Sequence, residues 1–271
     1  MQIFWIKIDN ISSKELFEKI TKFEIQNIVF TPNPEILLKT KKDSEFKNLI
    51  NKATYKTSDW IWLYIAYQII DNNYGKIINT LFLPYFFFNL FFKRKYLYKK
   101  YGERICWSDL TKDLIKYSEK NKIKVTIIDL YNPSDTKKVE SQKVFFKLLK
   151  EKFKKLDFDY FIYEPSKKEE IIDKVKNSKS KIIFSTLWMK CQEKSVVEIM
   201  KECENIKIWL AIWSSFDYFI GFQKRAPKLW RKLWIEWLYR LITWPRKIDR
   251  LKRLYNAIFV FIFEVIRNKK S

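Results

Sequence analysis

The chain has 271 residues and no histidine, and its 54 Lys and Arg residues outnumber 31 Asp and Glu residues to give a formal net charge of +23. The lack of histidine excludes Ser-His triads and His-ligated zinc, so a general base must be Asp, Glu, Lys, Tyr or Cys. The charge surplus implies an anionic partner, which composition leaves open as nucleic acid, an anionic membrane surface or a phosphorylated substrate.

Short apolar runs alternate with amphipathic stretches along most of the chain. The pattern predicts strands at residues 28–30, 124–130, 158–163, 181–185 and 206–212. It predicts helices at residues 35–53, 108–120, 139–153, 167–177 and 192–203. Strands that alternate with helices indicate an α/β fold with a largely parallel sheet flanked by helices, which binds ligands at the carboxyl ends of its strands.

Two segments depart from this pattern. Residues 72–101 form an aromatic and basic insertion, and residues 222–271 are basic with little β character, which predicts a core of residues 1–221 and a helical C-terminal appendage of residues 222–271. Adjacent aromatic and cationic residues suit a membrane interface, although they also suit single-stranded nucleic acid. We favour membrane-surface elements over a buried hairpin and an ordinary pair of basic helices. No apolar stretch reaches the roughly 18 residues of a spanning helix, and no signal peptide is expected.

Several polar motifs follow one another in a distinctive order. They are Thr31-Pro32-Asn33-Pro34-Glu35, Ser58-Asp59-Trp60-Ile61-Trp62, Glu103-Arg104-Ile105-Cys106-Trp107-Ser108-Asp109-Leu110, Gln192-Glu193, Phe216-Asp217-Tyr218-Phe219-Ile220-Gly221, Arg225-Ala226-Pro227 and Ile235-Glu236-Trp237-Leu238-Tyr239-Arg240-Leu241. In order and spacing this set resembles the WecG/TagA/CpsF glycosyltransferase family, from about residue 28 to residue 250. The insertion at 72–101 is longer than that family leads us to expect.

The resemblance implies a Rossmann-like fold and a peripheral enzyme at the cytoplasmic face of the cell membrane. Such an enzyme moves N-acetylmannosamine or its uronic acid from UDP to a polyprenyl-diphosphate-linked sugar, with inversion and with no metal or other cofactor. Its products serve teichoic acids and related cell-surface polysaccharides. The expected partners are the sugar donor, the lipid-linked acceptor and an anionic membrane surface, with oligomers left open. Nucleic acid is not expected, since only the charge indicates it and no known binding motif is present.

The same resemblance assigns the catalytic residues. Asp59 stands where the family has its catalytic carboxylate, and a partly desolvated carboxylate can be basic enough to accept a proton. The alternative for Asp59 is a helix N-cap. Arg104, Arg240 and Arg250 match basic positions that would stabilise the departing diphosphate. Lys247 matches a further basic position, where we expect an arginine, because the two N–H groups of arginine bind phosphate better than one ammonium group.

The remaining candidates are polar residues of the motifs. Thr31, Asn33 and Gln192 are expected to contact the donor, although turn chemistry explains the first two as well. The further substrate-binding candidates are Ser108, Asp109, Glu193, Asp217 and Arg225. The acidic pair Asp157 and Asp159 resembles a metal site of other glycosyltransferases, and we interpret it as a loop that enters a strand.

Tryptophan repeatedly stands where the family has glycine. The suspect positions are Trp60, Trp62, Trp107, Trp188, Trp213 and Trp234, with Trp5 and Trp209 as further cases. The chain has 3 Gly and 11 Trp residues, whereas average usage would give roughly 19 glycines. Some bacteria read the UGA codon as glycine, and others read it as tryptophan. We hypothesise that a gene of the first kind has been translated with the code of the second, so that tryptophan replaces glycine at these positions. The rival hypothesis is a degenerate homologue with a site plugged by indoles. The first hypothesis predicts that Trp60, Trp62, Trp107, Trp188 and Trp213 gather around Asp59 and that some of them have positive φ.

Overall fold

The structure is a computed structural model that describes residues 1–130, 136–212, 215–221, 224–243 and 247–269. The side chains of residues 130, 136–141, 247, 249 and 250 lie outside the described part. Its strands are β1 (Gln2–Ile3), β2 (Ile6–Lys7), β3 (Asn27–Phe30), β4 (Tyr55–Lys56), β5 (Val125–Leu130), β6 (Phe158–Tyr163), β7 (Ile182–Ser185) and β8 (Ile208–Ala211). Its helices are α1 (Ser13–Ile20), α2 (Pro34–Lys42), α3 (Ser44–Asn51), α4 (Trp62–Asp71), α5 (Lys76–Leu81), α6 (Leu83–Phe92), α7 (Arg94–Tyr101), α8 (Trp107–Asn121), α9 (Thr136–Lys152), α10 (Lys168–Asn177), α11 (Cys191–Glu202), α12 (Ser215–Phe219), α13 (Lys228–Lys232), α14 (Glu236–Thr243), α15 (Lys247–Tyr255) and α16 (Phe261–Asn268).

One parallel sheet organises the fold. Its strand order is β4-β3-β8-β7-β5-β6, and every neighbouring pair is parallel. The central strands β7 and β8 are buried along their whole length, as strands covered by helices on both faces must be. The predicted α/β, Rossmann-like fold with a helical C-terminal part is therefore confirmed.

The predicted strands are confirmed to within two residues at each end. The predicted helix at 35–53 is wrong, because α2 ends at Lys42 and α3 begins at Ser44. Asp43 between them has an extended backbone, and its Oδ1 accepts a hydrogen bond of 2.9 Å from the Phe46 N–H. An Asp side chain that caps a new helix competes with continuation of the old one, and apolar spacing does not reveal that competition. The two-residue strand β4 and the β1–β2 hairpin are too short to leave a pattern.

The insertion at residues 72–101 is helical and packs against α4. Asn89 of α6 donates a 2.8 Å hydrogen bond from Nδ2 to Oε1 of Gln68 in α4. The ring of Phe87 lies 5.9 Å from the ring of Trp62, between centroids. Within the described residues, none of the helices combines the length and the apolar character that crossing a bilayer requires.

The C-terminal helices also pack on the core. Helix α16 contacts α2, α4 and α5. Its Phe261 meets Phe4 edge to face at 6.0 Å between centroids, and its Glu264 forms an ion pair with Lys41 of α2. The predicted division of the chain at residue 221 stays a prediction.

Trp5 occupies a position that favours glycine. Strands β1 and β2 pair Ile3 with Ile6, so Phe4 and Trp5 form a two-residue hairpin loop. Both have positive φ, 47° at Phe4 and 65° at Trp5. These angles are those of a type I′ turn, whose second central residue is most often glycine. Trp5 is 58% exposed, so its indole gains little burial in return for the strained backbone.

Trp234 occupies a second such position, at the end of α13. The N–H of Trp234 donates to the Arg231 carbonyl at 3.2 Å, and the N–H of Ile235 donates to the Trp230 carbonyl at 3.0 Å. This pair of hydrogen bonds is the Schellman motif, which places Trp234 at the C′ position where glycine is usual. The φ of Trp234 is 65°, in the left-handed region.

The other suspect tryptophans lack this backbone signature. Trp60, Trp62, Trp107 and Trp188 do not have positive φ. Trp209 lies fully buried inside strand β8, where a glycine would weaken the strand, so the structure gives no reason to regard it as a replaced glycine. Trp213 lies outside the described residues.

Replacing Trp5 by glycine tests the turn. A non-glycine residue in the left-handed region costs about 1–2 kcal/mol, and the flexibility of glycine in the unfolded chain costs about 0.5–1 kcal/mol. We therefore expect Trp5→Gly to raise the free energy of unfolding slightly. The control Trp188→Gly removes an indole that is 59% exposed from a position without positive φ, and should lower it. Denaturant titration should separate the two variants by about 1–2 kcal/mol. Equal effects would contradict backbone strain at Trp5.

Candidate functional site

Polar residues of the first two motifs follow the carboxyl ends of β3 and β4. Thr31 is buried directly after β3, and Asn33 caps α2 through a 2.8 Å hydrogen bond from the Ile36 N–H to its Oδ1. The turn explanation therefore holds for Asn33, whose side-chain oxygen is already used once. After β4, buried Ser58 shares a 2.5 Å hydrogen bond with the hydroxyl of Tyr67 in α4. This contact fixes the backbone that leads to Asp59.

Asp59 is not the N-cap of α4. That position belongs to Ile61, and no side chain caps the helix. The carboxylate of Asp59 instead faces a pocket between the core and the C-terminal helices. The lining residues of this pocket are Asp59, Trp60, Ile61, Trp62, Arg104, Cys106, Trp234, Glu236, Trp237 and Arg240. The predicted catalytic residues Asp59, Arg104 and Arg240 thus come together from three distant parts of the sequence.

A chain of opposite charges crosses this pocket. Nε of Arg104 lies 3.8 Å from Oδ1 of Asp59, and Nη2 of Arg104 lies 3.8 Å from Oε2 of Glu236. Glu236 also accepts from Arg240, with 3.0 Å between Nε and Oε1 and a second contact from Nη2. The guanidinium of Arg240 lies 5.4 Å from the centroid of the Tyr218 ring. Glu236 therefore holds an arginine of α14 and an arginine of the core on the same carboxylate.

The electrostatics of the pocket favour a basic Asp59. Burial raises the pKa of the Asp59 carboxyl to about 6, with Arg104 acting against the rise and Glu236 adding to it. Burial also acts to raise the pKa of Glu236, yet Arg240 and Arg104 hold that pKa below its usual value. Asp59 is consequently ionised at neutral pH and far more basic than an exposed aspartate.

Aromatic side chains fill much of the pocket. The rings of Trp62 and Trp237 lie 5.6 Å apart, and Trp234 packs against Tyr64 and Tyr98 at 5.4 Å from each. The remaining cavity is about 80 Å³, below the roughly 300–1,000 Å³ of small-molecule sites. Of the five tryptophans expected around Asp59, Trp60 and Trp62 line the pocket, and Trp234, which was not among the five, lines it as well. Trp107, at the start of α8, and the exposed Trp188 do not line the pocket.

Asp109 and Arg225, both predicted to bind substrate, bind each other. Arg225 donates to both carboxylate oxygens of Asp109, at 2.7 and 2.9 Å. Its Nη2 also lies 3.4 Å from Sγ of Cys106, which lines the Asp59 pocket and contacts Ser108 at 3.3 Å. This ion pair joins the start of α8 to the segment before α13, at the edge of the pocket.

Gln192 and Glu193 lie at the start of α11, after β7. Glu193 accepts a 2.6 Å hydrogen bond from the backbone N–H of Lys190, so one carboxylate oxygen stabilises the helix terminus. The neighbouring Gln192 is buried, and its Oε1 has no hydrogen-bond partner among the described residues. A buried amide oxygen without a partner carries a free-energy cost that a donor group from a ligand would remove.

Two further aspartates lie near the carboxyl edge of the sheet, Asp129 at the end of β5 and Asp217 after β8. Asp129 accepts from the Tyr160 hydroxyl at 2.8 Å and from the Thr186 hydroxyl at 2.6 Å. Burial, together with the Asp129 carboxylate, raises the pKa of the predicted site residue Asp217 to about 6. Asp159 instead lies within β6 and pairs with Lys124 at 2.9 Å.

Sequence reasoning assigned no role to Asp129 or Glu236. Asp129 had a signal, since it is the second-last residue of a predicted strand of a parallel sheet. Glu236 lay inside a quoted motif, but only the folded chain brings it between two arginines. The predicted residues Lys247 and Arg250 belong to α15, and their side chains lie outside the described residues.

Neutralising Glu236 tests the charge chain. Glu236→Gln leaves two largely buried arginines with one carboxylate fewer, so we expect the free energy of unfolding to fall by about 2–4 kcal/mol. The pKa of Asp59 should fall as well, because a negative charge beside it is removed. Denaturant titration and carboxyl NMR measure the two effects. The exposed Glu15–Lys19 pair is the control, since Glu15→Gln should change stability by about 0.5 kcal/mol or less. Similar losses in both variants would refute the bridging role.

The sequence as a whole matches one protein family. A profile described as the Glycosyl transferase WecG/TagA/CpsF family matches residues 1–84 and 90–271, which leaves out five residues of the insertion. The match covers the parallel sheet, the Asp59 pocket and the C-terminal helices that complete it. The chain therefore belongs to the WecG/TagA/CpsF family of glycosyltransferases, whose activity is associated with the synthesis of cell-surface polysaccharides.

Proposed function

We propose that this protein transfers an N-acetylhexosamine, N-acetylmannosamine or its uronic acid, from a UDP-sugar to a polyprenyl-diphosphate-linked acceptor. The transfer inverts the anomeric centre and uses no metal. The observation that carries the proposal is the half-buried Asp59, whose carboxyl has a pKa of about 6 and lies beside Arg104. A base of this strength is suited to accept a proton near neutral pH.

The proposed reaction assigns one role to each side of the pocket. Asp59 accepts the proton of the acceptor hydroxyl as the oxygen forms its bond to the anomeric carbon. The bond between that carbon and the diphosphate oxygen breaks on the opposite face, and its electron pair leaves with UDP. Arg104 and Arg240 lie where their guanidinium groups could neutralise the charge that develops on the diphosphate. Glu236 is a positioning residue that orients both arginines.

The donor is proposed to occupy the carboxyl edge of the sheet. Thr31 and Asn33 follow β3, Asp217 follows β8, and Gln192 presents a buried amide oxygen that no described residue bonds. Lys247 and Arg250 are proposed as further diphosphate contacts, with Ser108, Asp109, Glu193 and Arg225 shaping the edge of the site. The carboxyl ends of parallel strands are the usual ligand site of such sheets.

The acceptor implies work at a membrane, which we propose to be the cytoplasmic face of the cell membrane. Helices α15 and α16 and the π-helical segment Asn256–Val260 between them expose an apolar stripe at helical spacing, formed by Ile248, Leu251, Tyr255, Phe259 and Phe263. Exposed cations such as Lys252 and Arg253 flank it. Apolar and cationic residues on one helix surface suit peripheral binding to anionic lipid.

Asp59→Asn tests the base. The amide keeps the shape of the side chain but cannot accept the proton, so transfer should fall about 10²–10⁴-fold while UDP binding persists. The rate of the unchanged site should decline as pH falls through about 6, because a protonated Asp59 cannot act as a base. Transfer of radiolabelled UDP-N-acetylmannosamine to a lipid-diphosphate acceptor measures both. Asp113→Asn, on the exposed side of α8, is the control. Near-normal turnover of Asp59→Asn would exclude Asp59 as the base.

A second candidate is a membrane-bound homologue without catalytic activity. The small cavity favours it, since Trp60, Trp62 and Trp234 line the space beside Asp59. The left-handed backbone at Trp234 instead favours the hypothesis that UGA codons for glycine were read as tryptophan. Trp234 both restricts the pocket and stands at a C′ position, where glycine is usual.

Restoring glycine distinguishes these candidates. The glycine version of the protein carries Gly at positions 60, 62, 107, 188, 213 and 234. We expect it to bind and transfer the sugar where the chain as sequenced does not, because the removed indoles enlarge the pocket. Trp237→Gly alone should not restore transfer, since the family has tryptophan at that position. The Asp59 measurements are made in whichever version is active. UGG codons at positions 60, 62 and 107, with no transfer by either version, would leave the inactive homologue as the answer.

A further inference from the structure

The insertion presents an apolar outer face to solvent. On α5 and α6 and the turn between them, the exposed apolar side chains are Ile77, Leu81, Phe82, Tyr85, Phe88 and Phe92. Phe92 is 74% exposed, and its ring stacks on that of Phe88 at 4.5 Å between centroids. Single exposed apolar residues are ordinary, but a contiguous set along two consecutive helices marks an interaction surface.

The charge of the same segment is entirely positive. Residues 72–101 contain the cations Lys76, Lys93, Arg94, Lys95, Lys99 and Lys100 and no Asp or Glu. Lys93 follows the stacked pair directly, and its Nζ lies 5.3 Å from the centroid of the Tyr85 ring. Cations at the edge of an aromatic face can reach lipid phosphates while their stems stay on apolar surface.

The outer face is held rigidly beside the candidate active site. The opposite side of α6 buries Phe86, Asn89 and Leu90 against the core. Asn89 is fixed by its hydrogen bond to Gln68, and Phe87 packs on Trp62, a lining residue of the Asp59 pocket. One helix therefore separates the exposed aromatic face from that pocket.

We propose that the outer face of α5 and α6 docks on an anionic lipid bilayer, with Phe88 and Phe92 entering the headgroup boundary. The proposal rests on the proposed function in one respect, that the acceptor diphosphate stands at a bilayer surface next to the pocket. Helix α6 has ten residues and lies far below the length of a spanning segment, so it binds in the interface plane. A second copy of the chain is a poor occupant, because it would bring the same uncompensated positive charge to the contact.

Co-sedimentation with vesicles tests the surface, with no donor or acceptor present, so that its outcome is independent of transfer. The full chain should sediment with vesicles of phosphatidylglycerol and phosphatidylcholine, less so at high salt, and weakly with phosphatidylcholine alone. Burial of one phenylalanine stabilises by about 1.5–3 kcal/mol, which corresponds to about tenfold or more in partitioning. Phe88→Ser with Phe92→Ser should therefore lower binding about tenfold or more.

Two matched variants give the experiment its controls. Ile25→Ser with Val144→Ser removes exposed apolar side chains outside the insertion and should leave vesicle binding unchanged. Phe259→Ser with Phe263→Ser removes part of the C-terminal stripe and measures its separate share. Because all six residues are exposed, each variant should keep the wild-type circular dichroism spectrum and thermal midpoint.

Three results would overturn the proposal. The first is unchanged vesicle binding of the Phe88 and Phe92 variant, above all if the C-terminal variant alone loses binding. The second is a dimer of the unchanged chain in lipid-free solution that becomes a monomer in this variant, which would identify a second copy as the partner. The third is loss of binding to single-stranded RNA in the variant without loss of binding to vesicles, which would assign the face to nucleic acid.

Discussion

The candidate site depends on one charge chain, in which Glu236 stands between Arg104 of the core and Arg240 of α14. Largely buried charges are tolerated only where they are paired. If α14 left the core, Arg104 would keep Asp59 as its partner and would lose Glu236. The position of the C-terminal helices and the basicity of Asp59 are therefore coupled, because α14 carries Glu236, which raises the pKa of Asp59, and Arg240, which lowers it. This coupling would give the C-terminal segment a physical part in the proposed reaction.

The scarcity of glycine leaves two independent traces. One is conformational, since Trp5 and Trp234 adopt left-handed φ in a type I′ turn and a Schellman motif. The other is steric, since Trp60 and Trp62 narrow the pocket without positive φ. Trp234 shows both. The conformational trace needs no assumption about a ligand, because it follows from the clash of a Cβ atom with the neighbouring backbone. Trp209, buried in a regular strand, shows that tryptophan in this chain also has an ordinary core role.

The insertion and the C-terminal helices meet at the same part of the core. Helix α16 contacts both α4 and α5, and α4 begins three residues after Asp59. Helix α4 is buried along nearly its whole length. The exposed apolar side chains in this part of the molecule therefore belong to the helices that surround α4. The proposed lipid surface and the proposed catalytic pocket are thus connected through α6, whose Phe87 packs on Trp62 of the pocket. This arrangement suits an acceptor that has a polar end for the pocket and an apolar chain for the bilayer.

The sequence by itself determined the parallel α/β sheet, the position of Thr31 directly after a strand, and the family, because hydrophobic periodicity and motif order are local properties of the chain. It did not determine the break at Asp43, where a side-chain cap competes with helix continuation. Nor did it assign a role to Glu236, whose partners lie 132 positions before it and four after it. Only the tertiary structure decided that Asp59 is not a helix cap. Burial, charge pairing and left-handed φ depend on which distant segments pack together, and no local pattern encodes that packing.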